Sequence, residues 1–449
     1  MAMISLQKAA GWCGGRIDPK YQDMTFCGAC IDSRKLLPGE LFVALIAARD
    51  GHDYIPGALE KGAAAVLCSR LEGDYPAIVV DDTRIALGQI AAGLLREMNP
   101  RIVGVTGSVG KSTTKEMIAS VLETTYRVSK TPANHNNDLG MPAAVLKMDA
   151  QSEAVVLEMG MSHFGEIEYL SRMAKPQIGV IINVGTMHIE NLGSREGILQ
   201  AKLEITKGME EDGKLILFGD NDYLWGAKDT LCVPTAYFGT KEHCDLRAEN
   251  IRYDADGIRY DAVYGQLRFP IYLPLEGEHY VADSLAAIHV GLQLGVTPEN
   301  IQKGLACFQT MEGRQEMFAF QGYQIIKDCY NAGPESMEAA LKVLGNRSGR
   351  KIAVLGDMLE LGAHSAPAHR KVGSQAAQYA DVLLCYGPES EKMLLGAKEA
   401  GMEKAYHYST REDLARALRE LVNDGDVLLF KASRGIRMEL ALELFMKEI

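Results

Sequence analysis

The sequence predicts an α/β protein of several domains, and three observations carry that reading. The chain has 449 residues, more than a single hydrophobic core organises, so roughly two to four domains are expected. A β-branched run beginning at Arg101 enters glycines and then a helical pattern. Beyond residue 313, strand-like and helix-like stretches alternate, as they do in a doubly wound sheet. The expected architecture is a small N-terminal α/β domain over 1–99, a central domain over 100–312, and a Rossmann-like doubly wound domain over 313–449. The central domain is built on a phosphate-binding loop with a mostly parallel sheet. Asn99-Pro100 marks the first boundary and Met311-Glu312-Gly313-Arg314 the second.

In the first domain, Ile31 to Lys35 leads through the turn Pro38-Gly39 into a strand, Leu41 to Leu45. Gly51 to Tyr54 precedes a helix from Ile55 to Gly62 and a second strand, Ala64 to Cys68. In the central domain, Ala154 to Leu157 and Gly179 to Ile182 read as buried strands, and Ile198 to Ile205 as a helix. Residues 251 to 270 read as strands with an Asp256-Gly257 turn, followed by a helix from Gly277 to Leu294. In the last domain the strands are Tyr323 to Asp328, Lys351 to Leu355, Val382 to Tyr386 and Val427 to Phe430.

Composition narrows the functional classes. Apolar residues make up 47%, enough for packed cores, and the net charge of −12 excludes general nucleic-acid binding. No stretch reaches the ~18 continuous apolar residues of a membrane span. Met1 to Gly15 has no basic start followed by a long apolar run, so no secretory signal is read. Nine scattered cysteines suit reduced thiols, and the expected location is the cytoplasm. The CGAC at Cys27 to Cys30 lacks a second pair at zinc-ribbon spacing and reads as structural.

The chemistry centres on Gly107-Ser108-Val109-Gly110-Lys111-Ser112-Thr113. Strand, glycine turn and helix together let backbone N–H groups and a helix N-terminus cradle phosphates. Lys111 would reach the terminal phosphates of ATP, and the Ser112 hydroxyl would ligate Mg²⁺. Val105 stands at the first glycine position of the longer form of this loop, leaving GxxGK[ST]. Polar groups follow several expected strand ends: Glu158, then His188 after Asn183-Val184-Gly185, and the amide-rich loop Thr131 to Asp138, which contains Asn137. Ligands of open α/β sheets collect at such carboxyl ends, so Glu158 and His188 are expected to share the metal with Ser112.

Taken together, the ordered motifs resemble the Mur ligase family of ATP-dependent amide-bond-forming enzymes. The resemblance rests on DSRKLLPGELFVAL (Asp32 to Leu45), GSVGKST, NHNNDLGMP (Asn134 to Pro142), EMGMSHFGEI (Glu158 to Ile167), NVGTMHIE (Asn183 to Glu190) and AKLEI (Ala201 to Ile205). It continues through EGRQE (Glu312 to Glu316), DCYNAGPESM (Asp328 to Met337), LGDMLELG (Leu355 to Gly362) and KASRGIRME (Lys431 to Glu439). The resemblance implies that Ser33 and Arg34 hold the uridine-diphosphate end of a substrate. It implies ATP and two Mg²⁺ ions, with Glu158, His188 and a carbamylated Lys202 joining Ser112 at the metals. Arg314 and Asp328 would meet the nucleotide, and Asn137, Asn331, Lys431 and Arg434 the phosphates or the incoming peptide. The implied substrates are UDP-N-acetylmuramoyl-tripeptide and D-alanyl-D-alanine, the implied activity is a ligation through an acyl phosphate, and the expected state is a monomer. Gly333 stands where the family pattern has asparagine, which implies looser selection of the dipeptide.

Three other readings stay open on the sequence. A family ligase adding a single amino acid would call for a DNPR-like stretch in the last domain, and none is present. An ATP-binding regulatory homologue without ligase activity would have no need of Glu158, His188 and Lys202 together. A P-loop kinase would leave the two outer domains without a role.

Overall fold

The structure, a computed structural model, describes residues 1–254 and 256–447. Ala255, within the stretch expected as strands, and Glu448 and Ile449, assigned to the last domain, lie outside the described residues. The fold is mixed α/β with mostly parallel sheets, as the sequence predicts. The chain divides into two compact units, Met1–Ile182 with Gln200–Arg247 and Ser284–Leu305, and Asn183–Leu199 with Ala248–Asp283 and Ala306–Ile449.

In the first unit, four parallel strands run in the order Ala29–Cys30, Leu41–Val43, Ala65–Cys68, Ala77–Val79. Phe42, Val66, Cys68, Ile55 and Ala58 make their apolar core. The helix Thr83–Met98 follows, capped at its start by Asp82, whose carboxylate accepts from Arg84 N and Ile85 N. It ends on Asn99 in the left-handed conformation, φ 50°, and Pro100 prevents its continuation.

Six parallel strands then run in the order Thr235–Gly239, Lys214–Phe218, Ile178–Ile181, Arg101–Thr106, Ala154–Glu158, Val128–Lys130. Arg101–Thr106 sits inside this sheet, so its carboxyl end is flanked by two others. The register pairs Val105 with Glu158 and Thr106 with Ile181. That pairing places Glu158 at the level where the glycine loop begins.

The second unit contains the antiparallel pair Gly257–Tyr264 and Leu267–Leu273. Its main sheet has six strands in the order Glu316–Phe320, Tyr323–Asp328, Val427–Lys431, Lys351–Gly356, Val382–Tyr386, Ala405–Tyr408. Only the first pair is antiparallel. Strand residues alternate between faces. Ala353, Leu355, Leu383, Cys385 and Leu429 pack on the helices Pro334–Gly345, Ser365–Tyr379 and Glu391–Glu399. Ile352, Val354, Leu384, Leu428 and Phe430 pack on Arg411–Leu421 and Met438–Lys447. Both faces are covered, which is the doubly wound arrangement expected from the sequence. The edge strands Glu316–Phe320 and Ala405–Tyr408 are additions to it. Among the described residues no helix is long and apolar enough to cross a membrane.

One buried group makes the first unit pH-sensitive. His289, on the helix His279–Gln293, is fully buried, and burial pushes its imidazole down to about 4, with Lys214 adding to the effect and Asp245 opposing it. An unfolded histidine takes its proton near 6.5, so between those values the unfolded chain binds more protons and stability falls as pH drops. The expected contribution is at most about 3 kcal/mol across that window. Urea midpoints measured from about pH 7 to about pH 4 should show a shallower slope for His289→Phe than for wild type.

Candidate active site

The glycine loop forms as its residues require. Gly110 takes φ 86°, a left-handed conformation open to glycine, and directly precedes the helix Lys111–Leu122. Lys111 is folded back on the loop, its Nζ donating to Gly107 O at 2.8 Å, with Ser108 O at 3.4 Å. Ser108 and Ser112 are buried. An anion at this helix start would meet backbone N–H groups and offer Lys111 a better partner than a carbonyl.

Glu158, at the end of the neighbouring strand, is buried. Its Oε1 accepts from Asn136 Nδ2 at 2.8 Å, and its own backbone N donates to Thr131 Oγ1 at 2.9 Å. Its Oε2 is buried without a hydrogen-bond partner, as is the hydroxyl of Thr106 one strand away. The nearest cation to that oxygen is Lys115, at 3.9 Å. Lys115 is fully buried and bonded to Thr131 O at 2.7 Å and Glu116 Oε1 at 3.0 Å. A buried, half-satisfied carboxylate oxygen fits a hard cation, which is where the implied Mg²⁺ would be held. Among the described residues no three His, Cys, Asp or Glu side chains form a metal site by themselves, so a cation here also needs hydroxyl, phosphate or carbamate oxygens.

Asn136, and not the Asn137 singled out from the sequence, reaches Glu158. Asn137 is committed to its own turn, its Oδ1 accepting from Gly140 N at 2.7 Å. Lys115 also escaped the sequence reading, which gives Thr131 only as the start of the amide-rich loop. A lysine one turn into a helix reads as a solvated side chain, and only the tertiary fold buries it.

Lys202 lies on the helix Arg195–Leu203 and is buried. Burial holds its amine well below the usual lysine range, and the positive charge of Lys111 adds to the shift. Lys202 and Lys111 are therefore close enough to sense one another.

In the second unit, Asp328 and Lys431 end adjacent strands in matched register and pair at 2.6 Å. Lys431 Nζ also donates to Asn331 O at 3.0 Å. Arg314 stacks on the Tyr330 ring at 3.9 Å, and Arg434 lies 5.8 Å from the same ring. Five of the residues singled out from the sequence (Arg314, Asp328, Asn331, Lys431 and Arg434) are thus gathered together, with Tyr330 as the platform the sequence reading missed. Ser433 joins the motifs that surround it: its Oγ donates to Ala332 O at 3.1 Å and accepts from Leu359 N at 3.0 Å. His188 belongs to this unit, its Nδ1 at 2.6 Å from Glu360 Oε2, an ion-pair distance without hydrogen-bond alignment.

Arg34, in the first unit, is exposed and held in a two-point pair with Asp32, both bonds 2.9 Å. Ser33 offers its carbonyl to Lys61 at 2.9 Å.

Three family models cover the chain: the Mur ligase family catalytic domain matches residues 25–95, the Mur ligase middle domain 105–291, and the Mur ligase glutamate ligase domain 313–434. A UDP-N-acetylmuramoyl-tripeptide–D-alanyl-D-alanine ligase of Bacillus subtilis (strain 168) is 41% identical over 95% of this chain and 94% of its own length. The chain belongs to the Mur ligase family. Among solved structures, MurF from Acinetobacter baumannii is similar to this Mur ligase with a TM-score of 0.92 at 30% identity, covering both chains fully at 100%. MurF from Thermotoga maritima in complex with ADP is similar with a TM-score of 0.84 at 32% identity, over 94% of this chain and 97% of that one.

In this Mur ligase the buried lysine gives a test of its own. The folded protein disfavours the charged amine, so below the ordinary lysine value of 10.5 the unfolded chain binds the additional proton and folding carries a penalty. Lys202→Met is expected to melt above wild type in CO₂-free buffer near pH ~7, the gap closing as pH rises toward ~10. Calorimetry across that range checks it; a variant that melts below wild type throughout contradicts it.

Proposed function

We propose that this chain is an ATP-dependent ligase joining D-alanyl-D-alanine to UDP-N-acetylmuramoyl-tripeptide, a step in making peptidoglycan precursors. What carries the reading is the whole-chain identity to a relative of that name, which extends through the last domain where the amine substrate must be chosen. The loop at Gly107–Lys111 supports it, because Lys111 donates to loop carbonyls that an anionic phosphate would replace as partner. The domain boundaries belonging to this reading fall after residues 99 and 312. The reaction is placed in the cytoplasm, where ATP is available, and the chain is taken to act as a monomer.

The chemistry follows from the poor reactivity of a carboxylate toward amines. An oxygen of the tripeptide's terminal carboxylate attacks the γ-phosphorus of ATP, and ADP departs with the bonding electron pair. The dipeptide amine then attacks the acyl carbon of the acyl phosphate. The tetrahedral adduct expels phosphate, the nitrogen loses its proton, and an amide remains. Bound Mg²⁺ supplies positive charge to the transferring phosphoryl group. Ser112 and Glu158 are the first-unit side chains placed to hold it, and His188 takes the ligand role given by the family motif. Lys111 leaves Gly107 O to neutralise the terminal phosphate oxygens. Burial disfavours the charged form of Lys202, and its neutral amine has a lone pair that would add CO₂: an N–C bond forms, a proton is released, and the carbamate would supply negative oxygens for a second ion. Ser33 and Arg34 bind the diphosphate handle, whose binding energy orients the distant reacting end. Arg314 and Asp328 meet the nucleotide, while Asn331, Lys431 and Arg434 border the phosphates and the incoming amine, and the family motif assigns Asn137 to the substrate.

Competition decides the substrate. With ATP, Mg²⁺, UDP-N-acetylmuramoyl-tripeptide and an equal mixture of amines, mass spectrometry should find the D-alanyl-D-alanine product favoured at least ~100-fold over those from D-alanine, L-lysine or D-glutamate. Product from single amino acids on a shorter nucleotide-sugar peptide would keep the family and overturn the substrate. Absence of any ligation product would favour a regulatory homologue.

A further inference from the structure

His188 holds a backbone conformation that a non-glycine residue rarely adopts, φ 64° and ψ 19°. Such a residue is strained by roughly 1–2 kcal/mol and persists only where its surroundings fix it. Here they do so from several directions, and every group involved lies in the same compact unit. Glu335, in the first turn of the helix Pro334–Gly345, accepts from Thr186 N at 2.9 Å and from Thr186 Oγ1 at 3.0 Å. Its second oxygen lies 3.3 Å from the same hydroxyl. A side chain at Gly185 would meet Glu335 Oε1 at 2.8 Å, so the loop runs close against the carboxylate and a Cβ there would have to push it aside. Arg195 donates to Val184 O at 2.8 Å, and Glu360 stands 2.6 Å from His188 Nδ1.

Gly333 completes the arrangement. Its backbone is extended, φ −150°, so no conformational demand calls for glycine there. Space does: a Cβ at this position would lie well inside van der Waals contact distance of Met187 Sδ and 3.2 Å from its Cγ. Met187 is buried, next in sequence to His188. The room left by the missing side chain is therefore occupied by Met187, which a side chain at this position would have to displace.

We propose that Glu335 is a positioning residue for His188, and that Gly333 and Met187 are a matched pair that lets the helix start and the histidine loop meet. This rests on the ligase reading, in which His188 serves the phosphoryl-transfer step. It also gives the DCYNAGPESM and LGDMLELG stretches a shared task. One supplies Glu335 and Gly333 and the other Glu360, and both act on the loop that ends in His188.

The test combines amide exchange over residues 183–192 with steady-state kinetics, using Glu335→Ala, Glu335→Gln, Gly333→Asn and the double variant Gly333→Asn/Met187→Ala. Glu335 is exposed, so its variants should fold, with exchange elsewhere unchanged. Glu335→Ala and Gly333→Asn are expected to speed exchange in this segment and lower kcat, each by ~10-fold, with KM for ATP unaltered. Glu335→Gln keeps an acceptor oxygen and should retain most protection, and Met187→Ala should restore the Gly333→Asn variant to within ~3-fold of wild type. Unchanged exchange in Glu335→Ala, or a double variant no better than Gly333→Asn, overturns the proposal even if wild type is an active ligase. Coupled exchange in a wild type that ligates nothing would leave the positioning intact and remove the ligase reading.

Discussion

The carboxylate of Glu158 has been taken out of water with only one of its oxygens hydrogen-bonded, and the rest of the first unit is arranged around that fact. Burying a charge without compensation is expensive, so the fold brings Lys115 to 3.9 Å and ties that lysine to Thr131 and Glu116. Thr131 returns the favour through its hydroxyl, which receives the backbone N of Glu158. The result is a rigid acidic end on one strand, level with the start of the glycine loop on the next. Rigid placement of a hard, partly unsatisfied oxygen beside a phosphate-binding loop is what phosphoryl transfer asks of a protein, since its catalysis is mostly positioning and charge.

The second unit meets the same constraint by different means. Parallel strands covered on both faces leave polar groups only at their ends. Asp328 and Lys431 therefore meet across adjacent strand ends, and Tyr330 gathers Arg314 and Arg434 on its ring. Ser433 binds the loops after three strands into one piece, reaching Ala332 and Leu359 while its backbone N donates to Asp357 O at 3.0 Å. Asp357, directly after the strand Lys351–Gly356, spends its carboxylate on Glu389 N and Ser390 N. Its role is to hold the loop before the helix Glu391–Glu399.

The parts of this that were legible in the sequence share a physical cause. Buried parallel strands need continuous apolar runs, so Ala154–Glu158, Val382–Tyr386 and Val427–Lys431 announce themselves. A glycine loop between strand and helix does the same. Edge strands bury one face at most, and Glu316–Phe320 and Ala405–Tyr408 are short and hold a single buried residue between them, so they lack the continuous buried run of a central strand. Position within a polar cluster was equally hidden. Asn136 and Asn137 are adjacent and chemically identical, and only the turn closed by Gly140 decides which one faces Glu158. Gly333 read as a lost side chain because its partner, Met187, lies far away in sequence.

The central claim is that ATP activates a substrate carboxylate on this scaffold before the amine attacks. Oxygen-18 placed in the terminal carboxylate of UDP-N-acetylmuramoyl-tripeptide tests it most directly. If the acyl phosphate forms, one labelled oxygen leaves with each phosphate released, read as an isotope shift in the phosphorus-31 spectrum, and the other stays in the new amide carbonyl. Phosphate carrying no label while amide product accumulates would contradict the account.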